Sequence, residues 1–363
     1  MKEITVKLQT KKLETPFASV LQFTLVIFAL TGLLVAADKP KPQTAPVDPA
    51  QLMWPLPPEK PRVKFLQELS NNFDVETKKK KSWVDKVVGN SDPNVSEYFE
   101  KPAGVVSDSR GRVIIASTQR STVFIVDQAQ KKITRLQGDR GIILQTPLGL
   151  AVDAQDNLFV SDPYQHMVLK FDPNGHLLAT IAVGEGVKNP TFMAIDEARR
   201  RLFIVDSHLH QVLVFDLDTL KLKNTVGKRG EKNGEFNFPI GIAVGADGGF
   251  AVTDTGSCSV QIFNADFKFV RRFGKQGDRP GEFIRPKGVA IDSEGNYWVV
   301  DGAFNNFQIF NPKGELLMWV GQFGNVPGAF NLPLGIFIDK SQKVYVSDQL
   351  NHRVQIFQFL GGK

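Results

Sequence analysis

Residues 147–183 read PLGLAVDAQDNLFVSDPYQHMVLKFDPNGHLLATIAV. Four apolar runs stand out in this stretch, LGLAVD, NLFVSD, MVLKF and LLATIAV, each bounded by Asp, Asn, Gly or Pro. Short runs rich in branched and aromatic residues between turn formers read as strand, turn, strand, tight turn, strand, turn, strand. A lone sheet built this way would be apolar on both faces. It needs a neighbour on each side.

The neighbours are present as further copies of the same stretch. Prolines that open an apolar run fall at Pro102, Pro147, Pro190, Pro239, Pro286 and Pro333, which makes six copies with spacings of 45, 43, 49, 47 and 47 residues. Two residues on stands Gly104, Gly149, Gly241, Gly288 or Gly335, with Phe192 as the exception. Six residues on stands Asp108, Asp153, Asp196, Asp292 or Asp339, with Gly245 as the exception. The second strand closes on Ser117, Asp162, Asp206, Asp254, Asp301 or Asp348, and nine residues later come Val126, Phe171, Phe215, Phe263, Phe310 and Phe357. Covering six such sheets on both sides at once calls for a radial ring, so the expected fold is all-β: a six-bladed β-propeller of four-stranded antiparallel blades. The last copy stops after VQIFQFL, one strand short. RVKFLQEL at 62–69 has the pattern of the fourth strands FKFVRRF and LLMWVGQF, so this N-terminal strand is expected to complete the last blade and close the ring.

The rest of the chain reads as attachments to that ring. The chain has 363 residues, 42% of them hydrophobic and 23% charged, which are globular proportions. A single Cys excludes an intramolecular disulfide framework and a Cys-based zinc cluster. Residues 1–16 carry Lys2, Lys7, Lys11 and Lys12, and residues 17–37 carry no charge, the pattern of a signal peptide or signal anchor. Val35 and Ala37 suit cleavage before Asp38, the reading preferred over a retained anchor; the expected location is exported, whether periplasmic, envelope-associated or extracellular. Residues 38–61 hold eight prolines and read as a linker, a spacer rather than a domain. Residues 62–98 are expected to hold the closing strand and a basic insertion, with Lys78–Lys81, a short helix around Trp83, Val84, Val87 and Val88, and a glycosylation pattern at Asn94; the propeller proper spans 99–363. The net charge of +6 falls to +4 without the leader. Export sets nucleic acid aside as a partner, and membrane contact is expected only through residues 17–37 if the leader is uncleaved.

DQLNHRVQIF at 348–357 resembles the NHL repeat: Asp, three residues, His, Arg, Val, two residues, Phe. DPYQHMVLKF and DSHLHQVLVF keep Asp, His and Phe, while DTGSCSVQIF and DGAFNNFQIF keep only the frame. The resemblance covers about residues 99–363 and implies an NHL-type six-bladed propeller of an exported bacterial kind. NHL propellers include RNA- and protein-binding modules, and relatives of this architecture include lyases and hydrolases, one of which holds a histidine-bound zinc near its axis. Function has therefore to come from the site.

Strand alternation places the tight turns and the blade-to-blade loops on one face, here called the top. Four residues after each second strand, that face presents Ser121, His166, His210, Cys258, Asn305 and His352. Of these, His166, His210, Cys258, Asn305 and His352 are the expected binding candidates, and His166, His210 and His352 are the candidate ligands of a divalent transition metal; no other cofactor is expected. His is also the usual residue at this repeat position, which gives it a turn-packing role. The repeated Asp residues suit turns, where a carboxylate accepts backbone N–H bonds. No nucleophile elbow, P-loop, HExxH or dinucleotide fingerprint occurs in the repeats, so no catalytic residue is assigned. The loops GKRGEKNGEF at 227–236 and GKQGDRPGEF at 274–283 add a mildly basic patch with Lys228, Arg229, Lys275 and Arg279 as binding candidates. The preferred function is a non-catalytic scaffold that binds a protein or an envelope or extracellular polymer through its top-face loops; the alternative is a metal-dependent lyase or hydrolase.

Overall fold

Branched and aromatic residues in runs of five to seven do form strands throughout, and the computed structural model describes residues 48–76 and 97–361. Within these, five four-stranded antiparallel sheets alternate along the chain with no crossover inside a sheet, and a sixth is completed from outside the repeats. The innermost strands follow one another around the axis: Pro102–Ser107, Leu150–Val152, Pro190–Asp196, Pro239–Val244, Pro286–Ile291 and Pro333–Ile338. Each touches the next, and the sixth touches the first, so the ring is closed. The protein is a six-bladed β-propeller. Among the described residues no helix is long and apolar enough to cross a membrane.

The repeated glycine has a steric cause. A Cβ on Gly149 would lie 2.2 Å from the Thr191 carbonyl oxygen of the next blade, and one on Gly335 would lie 2.3 Å from the Ala103 oxygen across the ring's junction. Side chains cannot enter there, because the obstructing atom is backbone. In five blades a register shift separates the proline from the third residue after it, and the residue two after the proline sits inside this irregularity. Blade 3 has Phe192 at this position, in the core against Phe203 and Ile242.

Between blades the repeated Phe supplies the filling. Phe171, Phe215 and Phe357 are fully buried, and Phe263 and Phe310 nearly so. Each contributes about 2–3 kcal/mol of burial.

Ring closure occurs where the apolar pattern of residues 62–69 predicts it. Val63–Leu69 pairs antiparallel with the last strand, Arg353–Phe359, in the register Val63 with Phe359, Phe65 with Phe357 and Leu69 with Val354. Phe65 is 3% exposed and meets the Phe357 ring edge-on at 5.6 Å. Glu68 on this strand pairs with the buried Arg353 guanidinium.

Part of the proline-rich stretch departs from the spacer expectation. Met53–Trp54 forms a fifth strand on the outer edge of blade 6, pairing Met53 with Lys64 and Trp54 with Val63. Trp54 explains this, because its ring packs edge-on to Phe357 at 5.9 Å and outweighs the turn preference of the prolines around it.

The insertion is tied at its base. Asn72 N–H donates to Glu97 O, and Glu97 N–H donates to Asn72 Oδ1 at 2.9 Å. Phe99 is fully buried against Phe124. The leader at 1–37, the linker before residue 48, Lys78–Lys81, the expected helix around Trp83 and Asn94 lie outside the described residues.

If the closing strand holds the ring, Phe65→Ala will lower stability by about 3–5 kcal/mol. Leu66→Ala, at a residue 38% exposed, will cost less than about 1 kcal/mol. Denaturant unfolding of the two variants checks this, and equal losses would show that the strand is not a latch.

Candidate functional site

The tight turn at the top of each blade is the unit from which this face is built. Its second strand ends on a carboxylate that is fully buried in blades 2 to 6: Asp162, Asp206, Asp254, Asp301 and Asp348. Each reaches back to the loop that leads into its own blade. Asp206 accepts N–H bonds from Lys188 and Asn189, Asp301 accepts from Ile284 and Arg285, and Asp348 accepts from Asn331 at 2.7 Å. Ser117 does the same work in blade 1 by donating to the Glu100 carbonyl. These carboxylates are structural fasteners, as their turn positions predict.

Asp254 is the least well served of the set. It accepts from Asn237 N–H at 2.8 Å, but its Oδ1 is buried with no hydrogen-bond partner among the described residues, as are Ser257 Oγ and Ser259 Oγ nearby. Burial, the largest cause, pushes its carboxyl up to about 6.

Four residues after each fastener, the chain turns through the left-handed region. Ser121, His166, His210, Cys258, Asn305 and His352 all have φ between 47° and 56°. That conformation aims every one of these side chains at the loop of the following blade. Ser121 Oγ donates to Gln145 O at 2.6 Å, the His166 Nδ1–H faces Lys188 O, and Cys258 Sγ lies 3.4 Å from Ile284 O. His210 Nδ1 accepts from Phe238 N–H at 3.2 Å, Asn305 Oδ1 from Leu332 N–H at 2.8 Å, and His352 Nδ1 from Lys101 N–H at 3.3 Å. The last of these bonds crosses from blade 6 to blade 1.

The ring is thus a set of six inter-blade latches made by four residue types. His166, His210 and His352 belong to blades 2, 3 and 6 and are not brought together. Among the described residues no three His, Cys, Asp or Glu side chains form a group able to hold a metal. The three imidazoles therefore do not converge as a ligand set among the described residues. Cys258 is buried, and burial pushes its thiol up. His210 is buried too, and its ring lies tilted against Phe238 at 4.9 Å. Burial first, then Arg229 and His208, hold its pKa below the ordinary histidine value, which suits an acceptor Nδ1.

The loops before blades 4, 5 and 6 share a second internal clamp. Phe236, Phe283 and Phe330 are fully buried beneath them. Gln261, Gln308 and Gln355, at most 2% exposed, each use one amide twice. Their Nε2 groups donate to Glu235 O, Glu282 O and Ala329 O, and their Oε1 atoms accept from Gly234, Gly281 and Gly328. Each loop is therefore fixed from below while its tip faces solvent. Lys228 pairs with Glu235 at 3.3 Å and Lys275 with Glu282 at 3.2 Å, within their own loops. Arg229 and Arg279 form no ion pair among the described residues. The loop before blade 6 carries the exposed Phe323, at 71%, and Val326, and the half-exposed Trp319 lines a cavity with Arg279. This apolar component of the surface is legible as the loop GQFGNVPGAF that has lost its charges.

A cavity of about 230 Å³ runs into the axis, lined by inner-strand residues that include Val106, Val152, Phe192, Val244, Ile291 and Phe337. Phe192 lines it as its bulk at that position suggests. The opposite mouth is acidic, but its carboxylates are engaged: Asp153 with Asn157, Asp156 with Ser109, and Glu197 with Arg200.

Residues 236–263 match the NHL repeat family. No curated protein matches the sequence. Solved structures similar to this one include a streptogramin B lyase at 12% identity and TM-score 0.55, covering 73% of this chain and 83% of that one. A gluconolactonase from Xanthomonas campestris aligns at 17% identity and TM-score 0.54, covering 71% of this chain and 85% of that one. An auxiliary nutrient binding protein from Bacteroides thetaiotaomicron aligns at 11% identity and TM-score 0.57, covering 71% and 69%. At these identities the likeness establishes the fold. Two enzymes and a binding protein share it, so the fold leaves the activity open.

Two titrations follow from the latches. His210 is lowered in the folded state, so its stabilising contribution is complete above the unfolded histidine value near 6.5 and is lost as pH falls below it. His210→Asn copies Asn305 and will keep the latch while flattening that acid loss, whereas His210→Ala will cost about 1–2 kcal/mol. Asp254 is raised, so stability will decline as pH rises from about 4 through about 6. Asp254→Asn will remove this decline and add about 2 kcal/mol at pH 7. Thermal unfolding across pH 4 to 8 measures both, and unchanged profiles would contradict them.

Proposed function

We propose that this protein is an exported, non-catalytic binding scaffold whose top-face loops hold a protein or an envelope polymer. One observation carries the reading: three loops of the same frame are fixed from beneath by a buried Phe and a bidentate Gln, yet differ at their exposed tips. Arg229, Gln276 and Phe323 share one position, as do Lys232, Arg279 and Val326. Rigid support with variable, solvent-facing side chains is the arrangement by which loops bind. The mixture of Arg with exposed Phe323 and Trp319 suits a polypeptide surface better than a uniformly charged polymer, because Arg and aromatic groups carry most of the energy in protein interfaces. The apolar run at residues 17–37 supports the export part of the proposal.

The ion pairs decide which variants test it. Reversing Lys228 or Lys275 would break a bond inside the loop, so Arg229→Glu with Arg279→Glu, and separately Phe323→Asp, are the informative changes. Immobilised protein lacking residues 1–37 should capture a discrete envelope component from the source cell. Either set of changes should weaken that capture at least tenfold without shifting the unfolding midpoint. Full capture by both folded variants would reject the loops as the contact surface.

A further inference from the structure

The loops before blades 4, 5 and 6 repeat closely enough that the same atoms can be compared three times. Glu231, Asp278 and Asn325 occupy one position of the frame, and Lys232, Arg279 and Val326 occupy the next. In blade 4 the Arg272 guanidinium, from the fourth strand, donates to Glu231 O and Lys232 O, both at 2.9 Å. In blade 6 the Arg353 guanidinium, from the third strand, donates to Asn325 O at 2.9 Å and Val326 O at 3.0 Å. Two different strands thus deliver a forked cation to the same pair of carbonyls. That convergence marks the place as a guanidinium seat.

Blade 5 fills its seat from neither strand. Trp319 pairs with Gln308 as Arg272 pairs with Gln261, so it stands in the register of the first arginine. Asn306 pairs with Asp301 as Arg353 pairs with Asp348, so it stands in the register of the second. A cavity of about 210 Å³ lies there, lined by Asp278, Arg279, Pro280, Phe304, Asn306 and Trp319. The Asn306 Oδ1 is buried and has no hydrogen-bond partner among the described residues. Arg279 O takes the turn bond from Glu282 N–H, as Lys232 O and Val326 O take theirs, but among the described residues it lacks the second bond that those two receive from arginine.

We propose that this cavity seats an arginine side chain supplied by a partner polypeptide. Its guanidinium would donate to the Asp278 and Arg279 carbonyls and to Asn306 Oδ1, and lie against the Trp319 indole. The site presents acceptors and an aromatic face, which select a planar forked donor over a compact ammonium. The volume is several times that of a water molecule and suits an arginine head with part of its stem. The inference rests on the reading of the top face as a partner surface and names one chemical group which that partner brings.

The test uses the whole chain and a defined probe. The chain has four Trp, and Trp319 is the half-exposed one that lines the seat, so a ligand-induced change in emission is assigned to it by its loss in Trp319→Phe. An acetylated and amidated Gly-Arg-Gly peptide should give a saturable fluorescence change that Trp319→Phe abolishes. The citrulline analogue, equal in shape but uncharged, should bind at least tenfold more weakly. Asn306→Arg, which fills the seat from within as blade 6 does, should weaken the arginine peptide at least tenfold. If that variant fails to fold, Trp319→Arg, which copies blade 4, serves in its place, read by peptide NMR line broadening. Equal binding of the two peptides, or undiminished binding by a folded seat-filling variant, would overturn the proposal. Because the probe needs no natural partner, its result stands apart from the capture experiment, and either reading can fail alone.

Discussion

A four-stranded sheet that is apolar on both faces cannot exist by itself in water, and nearly every feature of this protein follows from how that problem is solved. Stacking blades face to face hides their sides, but a stack has two ends, and only a ring has none. The ring in turn crowds the inner strands until a Cβ at Gly149 or Gly335 would strike a carbonyl oxygen. The inner strands enclose an axial cavity of about 230 Å³, while the charged loops and turns lie on the two faces.

On the top face the buried polar groups hold the joints between blades. A carboxylate, or Ser117 in blade 1, fastens each loop to its own blade, and a residue in the left-handed turn fastens the loop of the next. That second duty is met by Ser, His, Cys or Asn, groups with little in common except a polar or weakly polar atom one or two bonds beyond Cβ. Chemical diversity at one repeat position here reflects tolerance of a local task. It resembles an active site in sequence because catalysis draws on the same residue types. The geometry separates the two, since each side chain faces its own neighbour rather than a shared centre.

Much of the architecture is legible without coordinates because it is written several times. The offsets of Pro, Gly, Asp and Phe fix six blades, and the apolar pattern of residues 62–69 identifies the closing strand by likeness to the fourth strands. Met53–Trp54 escapes such reading, since it has no second copy and prolines surround it. Strand alternation places the histidines on one face, yet a face says nothing of distance, and it is the latch bonds that set them apart in blades 2, 3 and 6. Gln261, Gln308 and Gln355 were missed because an isolated glutamine reads as surface. Their recurrence seven residues after Asp254, Asp301 and Asp348 was the available signal.

The pairing of Val63–Leu69 with Arg353–Phe359 also constrains the order in which the molecule can be made. The first of these segments leaves the ribosome early and has no place to go until the final strand has been synthesised. Throughout that interval the growing chain carries at least one uncovered wedge and an unpaired strand edge, the features that invite association with other chains. Joining two segments so distant in sequence is slow, because the entropy of closing the intervening loop must be met before the contacts repay it. The nascent ring therefore stays open until the Arg353–Phe359 strand has been made and can pair with Val63–Leu69.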